Sequence, residues 1–288
     1  MQAMIFAAGL GTRLQPLTND RPKALVEVAG RPLLEHVILK LKQQGFRHIV
    51  VNVHHFGQMI LDFLRVNDNF GMDIRVSDER DLLLNTGGGI KRALELFDPT
   101  KPILIHNVDI ASDVDLAALY CEAERISNVC DALLVTNERK TSRFLLFNRE
   151  GLLRGWLNEK PEGNVGKAMG TEPVEALERL PFTGIHVLMP GIYEALKEYP
   201  GEVFFHHRFL PLGLHQSQHR PHHPATRLPL GRLWQGGSLG KSQGDTGLIE
   251  RLAYRGRRDS LSLKGNLHTN LAHGLRNIPH SHAGFVGI

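Results

Sequence analysis

The apolar run Met4 to Ala8 breaks into Gly9-Leu10-Gly11-Thr12-Arg13-Leu14. Glycines in such a place let the backbone turn sharply off a strand and bring N–H groups against phosphate oxygens with no Cβ in the way. An ordinary tight turn would use the same two glycines. What separates the two readings is the continuation: Arg13 stands in the loop, Pro16 follows, and Arg21-Pro22-Lys23-Ala24-Leu25 comes soon after. An amide-lined loop flanked by two cations is an anion clamp. A dinucleotide fingerprint G-x-G-x-x-G would need a third glycine where Leu14 stands, which argues against an oxidoreductase. Further along, Asp109 follows the apolar run Ile103 to Ile105, at the carboxyl edge where open α/β sheets gather ligands. A helix N-cap or turn aspartate is the alternative there, and Asp113 and Asp115 read better in that role. Gly87 and Gly88 could let backbone lie flat against a planar base, or could simply open a helix.

Holding these residues together requires a sheet. Residues 1 to 205 alternate short apolar runs with amphipathic stretches, the pattern of an α/β fold with a doubly wound, mainly parallel, Rossmann-like sheet. Strands are expected at 4–8, 49–53, 74–76, 103–105, 132–135, 144–147 and 183–188. Leu33, Leu34, Val37, Ile38 and Leu41 recur at helical spacing between Pro32 and the stop at Gly45, and further helices are expected at 56–64, 88–96 and 115–126.

Gly9-Leu10-Gly11-Thr12-Arg13-Leu14, Pro16-Leu17-Thr18 and Pro22-Lys23 together resemble the signature of the sugar-1-phosphate nucleotidyltransferases, G-x-G-[ST]-R-[LM]-x-P-L-T followed by P-K. Gly30-Arg31-Pro32-Leu33-Leu34 resembles the family's G-x-P-[LM]-[LI], and the likeness covers about residues 1–200. Val51-Asn52-Val53-His54-His55-Phe56-Gly57 and Asn85-Thr86-Gly87-Gly88-Gly89-Ile90 look most like the short, single-domain branch that uridylylates N-acetylmuramate 1-phosphate. The resemblance implies the nucleotidyltransferase type of sheet, and as substrates a nucleoside triphosphate and a sugar 1-phosphate. It implies that Gly9, Gly11 and Thr12 cradle the triphosphate with Gly87 and Gly88 at the base. Arg13 would hold the outer phosphates and the leaving group, and Lys23 would sit where the α-phosphate meets the sugar phosphate. Asp109 would hold Mg²⁺ on the phosphates. Glu159 and Lys160, in Glu159-Lys160-Pro161, and Thr183 and Gly184, in Thr183-Gly184-Ile185, resemble the family's sugar-side elements, a solvated charge pair being the alternative for the first two.

The 288 residues, 42% hydrophobic and 22% charged, suit a globular enzyme with a sizeable core and argue against collagen-like repeats and a chain disordered throughout. No run of about 18 apolar residues occurs and no charged stretch precedes an apolar leader, so a cytoplasmic protein without a membrane partner is expected. Cys121 and Cys130 can build no disulfide framework and are expected to be reduced and structural. The net charge of +4 is local in origin. Residues 1–205 carry 23 Lys and Arg against 27 Asp and Glu, whereas residues 206–288 carry 11 against 3 and ten of the 16 histidines. A nucleic-acid partner would therefore rest on the last stretch alone, and none is expected.

These counts divide the chain into a nucleotidyltransferase domain, 1–203, and a His/Arg/Pro-rich tail, 204–288, expected to be disordered or non-native. A metal-binding tail and a basic arm are two readings of that stretch. A third is that it is out of frame. Back-translated and read from the second codon base, Phe204 to Pro211 permits Phe-Ser-Ile-Ile-Asp-Phe-Tyr-Leu, similar to the apolar helix the family places there. The same shift over Pro229 to Gln235 permits His-Trp-Val-Asp-x-Gly-Lys, similar to the family's W-x-D-x-G, whose aspartate is a second Mg²⁺ ligand. Gly237 to Ser242 fails as a P-loop because Gln235 stands where its first glycine is needed.

Overall fold

The computed structural model describes residues 1–128, 130–137, 139–160 and 172–199, and the backbone of 165–167 and 226–229. In chain order the elements are β1 (Gln2–Phe6), β2 (Glu27–Val28), β3 (Arg31–Pro32), α1 (Leu33–Gln43), β4 (His48–Val53), α2 (Gly57–Val66), β5 (Asp73–Asp78), α3 (Asn85–Ala93), β6 (Ile103–Asn107) and α4 (Leu116–Ile126). They continue with β7 (Ala132–Thr136), β8 (Arg143–Phe147), β9 (Leu153–Asn158), β10 (Val165–Lys167), β11 (Glu178–Leu180), β12 (Phe182–Leu188), α5 (Tyr193–Glu198) and β13 (Thr226–Pro229).

A seven-stranded sheet has the order β13-β7-β12-β6-β1-β4-β5. The strands β6, β1, β4 and β5 run parallel, and β12 lies antiparallel between β6 and β7. From β1 the chain winds outward through α1 and α2 to β4 and β5, then α3 carries it back to β6 on the other side of β1. That reversal opens a crevice beyond the carboxyl ends of β1 and β6, the place where open α/β sheets bind ligands.

Both faces of the sheet are buried. Ile49, Val51 and Val53 pack with α1, α2 and α4 on one face, while Val50 points to the other, with Met4 and Ile90 of α3. That second face is completed by Tyr193 and Leu196 of α5 and by Leu145, Phe147 and Leu153 of a four-stranded sheet ordered β10-β9-β8-β11. The five apolar residues that predict α1 are all buried, and Gly45, at φ 85°, follows its end.

The strand expected at 4–8 is Gln2–Phe6. Ala7 and Ala8 are buried but have left the ladder, because the Asn52 side chain takes their N–H groups. The helix expected at 88–96 starts at Asn85 and tightens into a 3₁₀ turn over Leu94–Leu96. Cys130 is buried, whereas Cys121 is exposed, so a packing role fits only the first. Among the described residues no helix is long and apolar enough to cross a membrane. The expectations for 204–288 lie outside the described residues, the backbone of β13 apart.

Candidate active site

The loop after β1 and the segment after β6 leave the sheet side by side, joined by a 3.1 Å bond from Val108 N–H to Phe6 O. Gly11 adopts φ 69°, and a Cβ there would lie 2.9 Å from Thr18 Cγ2 and 3.2 Å from Lys23 Cβ. Only glycine fits that combination of left-handed backbone and close approach. The Thr18 hydroxyl and the Leu14 N–H each donate to the Gly11 carbonyl at 2.9 Å, stitching the loop to the segment that carries Lys23. Gly9, Thr12 and Arg13 are exposed, and Arg13 makes no ion pair among the described residues.

Lys23 Nζ donates to Asp109 Oδ2. The two side chains are 16% and 9% exposed, so this is a largely desolvated charge pair at the open end of the crevice. Such a pair contributes little net stability, yet either member alone would be costly. An incoming anion or cation can exchange for one partner without leaving the other uncompensated.

Gly184 closes the β12 side of this group. A Cβ on it would stand 2.6 Å from Asn107 Nδ2 and 3.2 Å from Ile110 Cγ1, on either side of Asp109 in sequence. The Thr183 hydroxyl donates to Val135 O at 2.8 Å and accepts from Ile185 N–H at 3.2 Å, so it serves the β7–β12 irregularity that turns Gly184 toward Asn107. Behind Asp109 the chain is pinned by α1. Lys40 Nζ donates to Ser112 O at 2.6 Å and Ser112 Oγ at 2.9 Å, and Gln44 Oε1 accepts from Leu116 N–H at 2.6 Å. Burial pushes the Lys40 ammonium down to about 8, with Asp113 and Asp115 acting against the shift. Asp115 caps α4 through Ala118 N–H at 2.9 Å, the role its sequence position predicts, while Asp113 is not the cap residue.

Gly87 and Gly88 are buried in the first turns of α3, so their local geometry is that of a glycine-rich helix start. The helix comes against the end of β1 through Gly89, where a Cβ would lie 3.3 Å from Phe6 Cε1 and 2.8 Å from Glu79 Oε1. Glu159 follows β9 on the smaller sheet and pairs with Arg179 at 2.8 Å, both exposed, and Lys160 is exposed beside it. A solvated charge pair is one sequence reading of this segment, and Arg179 is the partner Glu159 takes.

The structure thus gathers Gly9, Gly11, Lys23, Asp109 and Gly184 at one edge. Sequence reasoning does not single out Lys40, Gln44, Asn52, Glu79 or Asn107 as site-building residues. Of these Asn107 carries a signal, as a polar residue ending an apolar strand two positions before an aspartate, and Asn52 a weaker one, as the single polar residue inside the run Ile49 to Val53. Among the described residues no cluster of three or more His, Cys, Asp or Glu forms a protein-made metal cage. One hard carboxylate beside the glycine loop nevertheless fits Mg²⁺, which keeps waters and takes phosphate oxygens alongside one or two carboxylates.

The sequence model of the family described as nucleotidyl transferase matches residues 2–219. An N-acetylmuramate alpha-1-phosphate uridylyltransferase of Caulobacter vibrioides is 44% identical over 144 residues, 47% of this chain and 59% of the relative. One of the same description from Neisseria meningitidis is 32% identical over 204 residues, 68% of this chain and 79% of the relative. A D-glycero-alpha-D-manno-heptose 1-phosphate guanylyltransferase of Campylobacter jejuni is 33% identical over 138 residues, 48% of this chain and 59% of the relative. Among solved structures, HddC from Yersinia pseudotuberculosis complexed with GMP-PN superposes with a TM-score of 0.58 at 19% identity, covering 90% of this chain and 99% of that one, a likeness of fold.

Proposed function

The chain belongs to the nucleotidyl transferase family, and from that premise we propose that it moves a nucleoside monophosphate from a nucleoside triphosphate onto a sugar 1-phosphate. An oxygen of the sugar phosphate attacks the α-phosphorus. A new P–O bond forms, the bond from the α-phosphorus to the α–β bridging oxygen breaks, and its electron pair leaves with pyrophosphate. Both reactants are polyanions, so positioning and charge neutralisation carry most of the catalysis. The observation that carries this reading is the Lys23–Asp109 pair set against the Gly9–Arg13 loop at the switch point of the sheet.

In this account the N–H groups of Gly9 to Thr12 hold the outer phosphates, and Arg13, exposed and without an ion-pair partner among the described residues, follows the charge onto the leaving pyrophosphate. Lys23 exchanges the Asp109 carboxylate for oxygens of the α-phosphate and the attacking phosphate, where negative charge crowds most. Asp109, released by that exchange, is the carboxylate that would hold Mg²⁺. Mg²⁺ bound there would neutralise phosphate charge. Gly184 and the neighbouring Thr183 would line the sugar side, with Glu159 and Lys160 assigned to the sugar phosphate by the family resemblance. Gly87 and Gly88 at the start of α3 would lie behind the base.

UTP with N-acetylmuramate 1-phosphate is the favoured pair, supported by the 44% and 32% identical relatives. Guanylyl transfer to a heptose 1-phosphate or mannose 1-phosphate is the second reading, supported by the heptose-specific relative at 33%. A panel of four triphosphates against several sugar 1-phosphates, read by pyrophosphate release, separates them. Preference for UTP with the amino sugar is expected. Preference for GTP would overturn the substrate assignment, and no release with any pair would leave a nucleotide-binding homologue without turnover.

A further inference from the structure

We propose that Asn52 and Glu79 form a buried positioning relay that fixes the phosphate loop relative to α3. The proposal rests on the reading of Gly9 to Arg13 as the triphosphate clamp. Asn52 is the last paired residue of β4 beside β1, opposite Phe6. There the backbone ladder stops, and the N–H groups of Ala7 and Ala8, both buried, need other acceptors. Asn52 Oδ1 accepts from both, at 2.8 and 3.3 Å. Its Nδ2 donates to Glu79 Oε1 at 2.8 Å. Glu79 is in turn fixed by its own backbone, its N–H donating to Val53 O at 2.8 Å and its carbonyl accepting from His54 Nδ1 at 2.6 Å. Two residues beyond Ala7 the glycine loop begins.

The relay is an expensive way to fill space. Asn52 is 1% exposed and Glu79 0%, and Glu79 Oε2 is buried with no hydrogen-bond partner. A fully buried carboxyl costs stability that an apolar pair of similar volume would not. Burial raises the Glu79 carboxyl above its ordinary range, against the opposing bonds from Asn52 and the Leu84 backbone and the nearby charges of Arg92 and His54. What the two residues supply in return is geometry, because α3 lies directly on them. A Cβ at Gly89 would meet Glu79 Oε1 at 2.8 Å and Asn52 Nδ2 at 3.3 Å, so no side chain separates the helix from the relay. The start of α3, on the base side, and the loop, on the phosphate side, therefore share one buried support and cannot shift independently. Asn52 and Glu79 touch no substrate; they act through Ala7 and Ala8.

The test is a cycle of Asn52→Asp, Glu79→Gln and the double variant in the full chain, read by steady-state kinetics and by hydrogen exchange at Ala7 and Ala8. Asn52→Asp sets two carboxyls against each other and should raise KM for the triphosphate about tenfold, with KM for the sugar phosphate nearly unchanged and both amides exchanging faster. Glu79→Gln keeps an acceptor for Asn52 and should have a mild effect. In the double variant the carboxylate introduced at position 52 accepts from Ala7, Ala8 and the amide introduced at position 79, so the chain of bonds is rebuilt with its donor reversed. The triphosphate KM should return to within about threefold of wild type. A double variant as impaired as Asn52→Asp, or a parallel rise in both KM values, overturns the relay. Should Asn52→Asp fail to fold, Gly89→Ala, whose Cβ presses on the Glu79 carboxyl, the Asn52 amide and the Phe6 ring at the end of β1, must raise the triphosphate KM selectively or the relay is wrong. Wild-type protein that releases no pyrophosphate with any pair overturns the proposed function instead, and amide exchange at Ala7 and Ala8 then decides the relay alone.

Discussion

Lys23 and Arg13 carry the same charge in opposite circumstances, and their alanine variants should differ accordingly. Arg13 is exposed with no ion pair among the described residues, so Arg13→Ala should leave stability within about 0.5 kcal/mol of wild type while lowering turnover about a hundredfold. Lys23→Ala strands Asp109, 9% exposed, without its cation, and should cost roughly 1–3 kcal/mol in urea unfolding as well as activity. Equal stabilities for the two variants would mean that the pair is solvated in solution. Asp109→Asn should raise the Mg²⁺ concentration needed for half-maximal activity. An unchanged metal titration would return Asp109 to a purely structural place in the turn after β6. Arg13 and Lys23 stand out as candidates from their types and spacing, because a glycine loop with two nearby cations has few structural uses, and Asp109 from its place after an apolar strand. The relay was not. Asn52 interrupts the apolar run Ile49 to Val53 by a single polar residue, and Glu79 sits in Asp78-Glu79-Arg80-Asp81, which reads as a solvated charge run. Only the registers that set β4 beside β1 and β5 beside β4 bring the two under the loop.

At the scale of elements, the site is held by connections that each depend on one or two side chains. Gly11→Ala would need φ 69° and would drive a Cβ to 2.9 Å from Thr18, costing on the order of 1–3 kcal/mol and prising the loop from the Lys23 segment. Loss of triphosphate binding with retained secondary structure, measured by calorimetry and circular dichroism, is the expected result; full binding would show that the loop adapts. The amphipathic helices and long apolar strands were readable because burial on known faces imposes their period. The misplacement of β1 by two residues has a physical cause, since Ala7 and Ala8 are as apolar as a strand but give their N–H groups to Asn52. β11 and α5 escaped the sequence reading because three and six residues carry no readable period, and β9 because its six residues bury only Leu153 and Gly155, too weak an apolar pattern to mark a strand.

Across the whole molecule, winding away from β1 in both directions creates the crevice, and two cores hold its walls. Buried histidines on the two strands beside it set the acid limit of the fold. Burial, with Lys40 adding to it, pushes His106 down to about 3, and burial alone does the same to His186. An unfolded histidine titrates near 6.5, so between about pH 6.5 and 3 the unfolded chain binds more protons and stability falls as pH falls. Urea unfolding at pH 7 and pH 5 should show this loss, and His106→Gln should flatten it; a variant with the wild-type slope would place the titration elsewhere.

The central claim, nucleotidyl transfer at the Lys23–Asp109 edge, is tested most directly by following the phosphorus resonances of a mixture of the full chain, Mg²⁺, UTP and N-acetylmuramate 1-phosphate. The account predicts a nucleoside diphosphate sugar and pyrophosphate appearing in equal amounts with wild-type protein, and neither at a comparable rate with Lys23→Ala. Absence of both products with this and every other triphosphate and sugar 1-phosphate pair, or their undiminished appearance with Lys23→Ala, would contradict it.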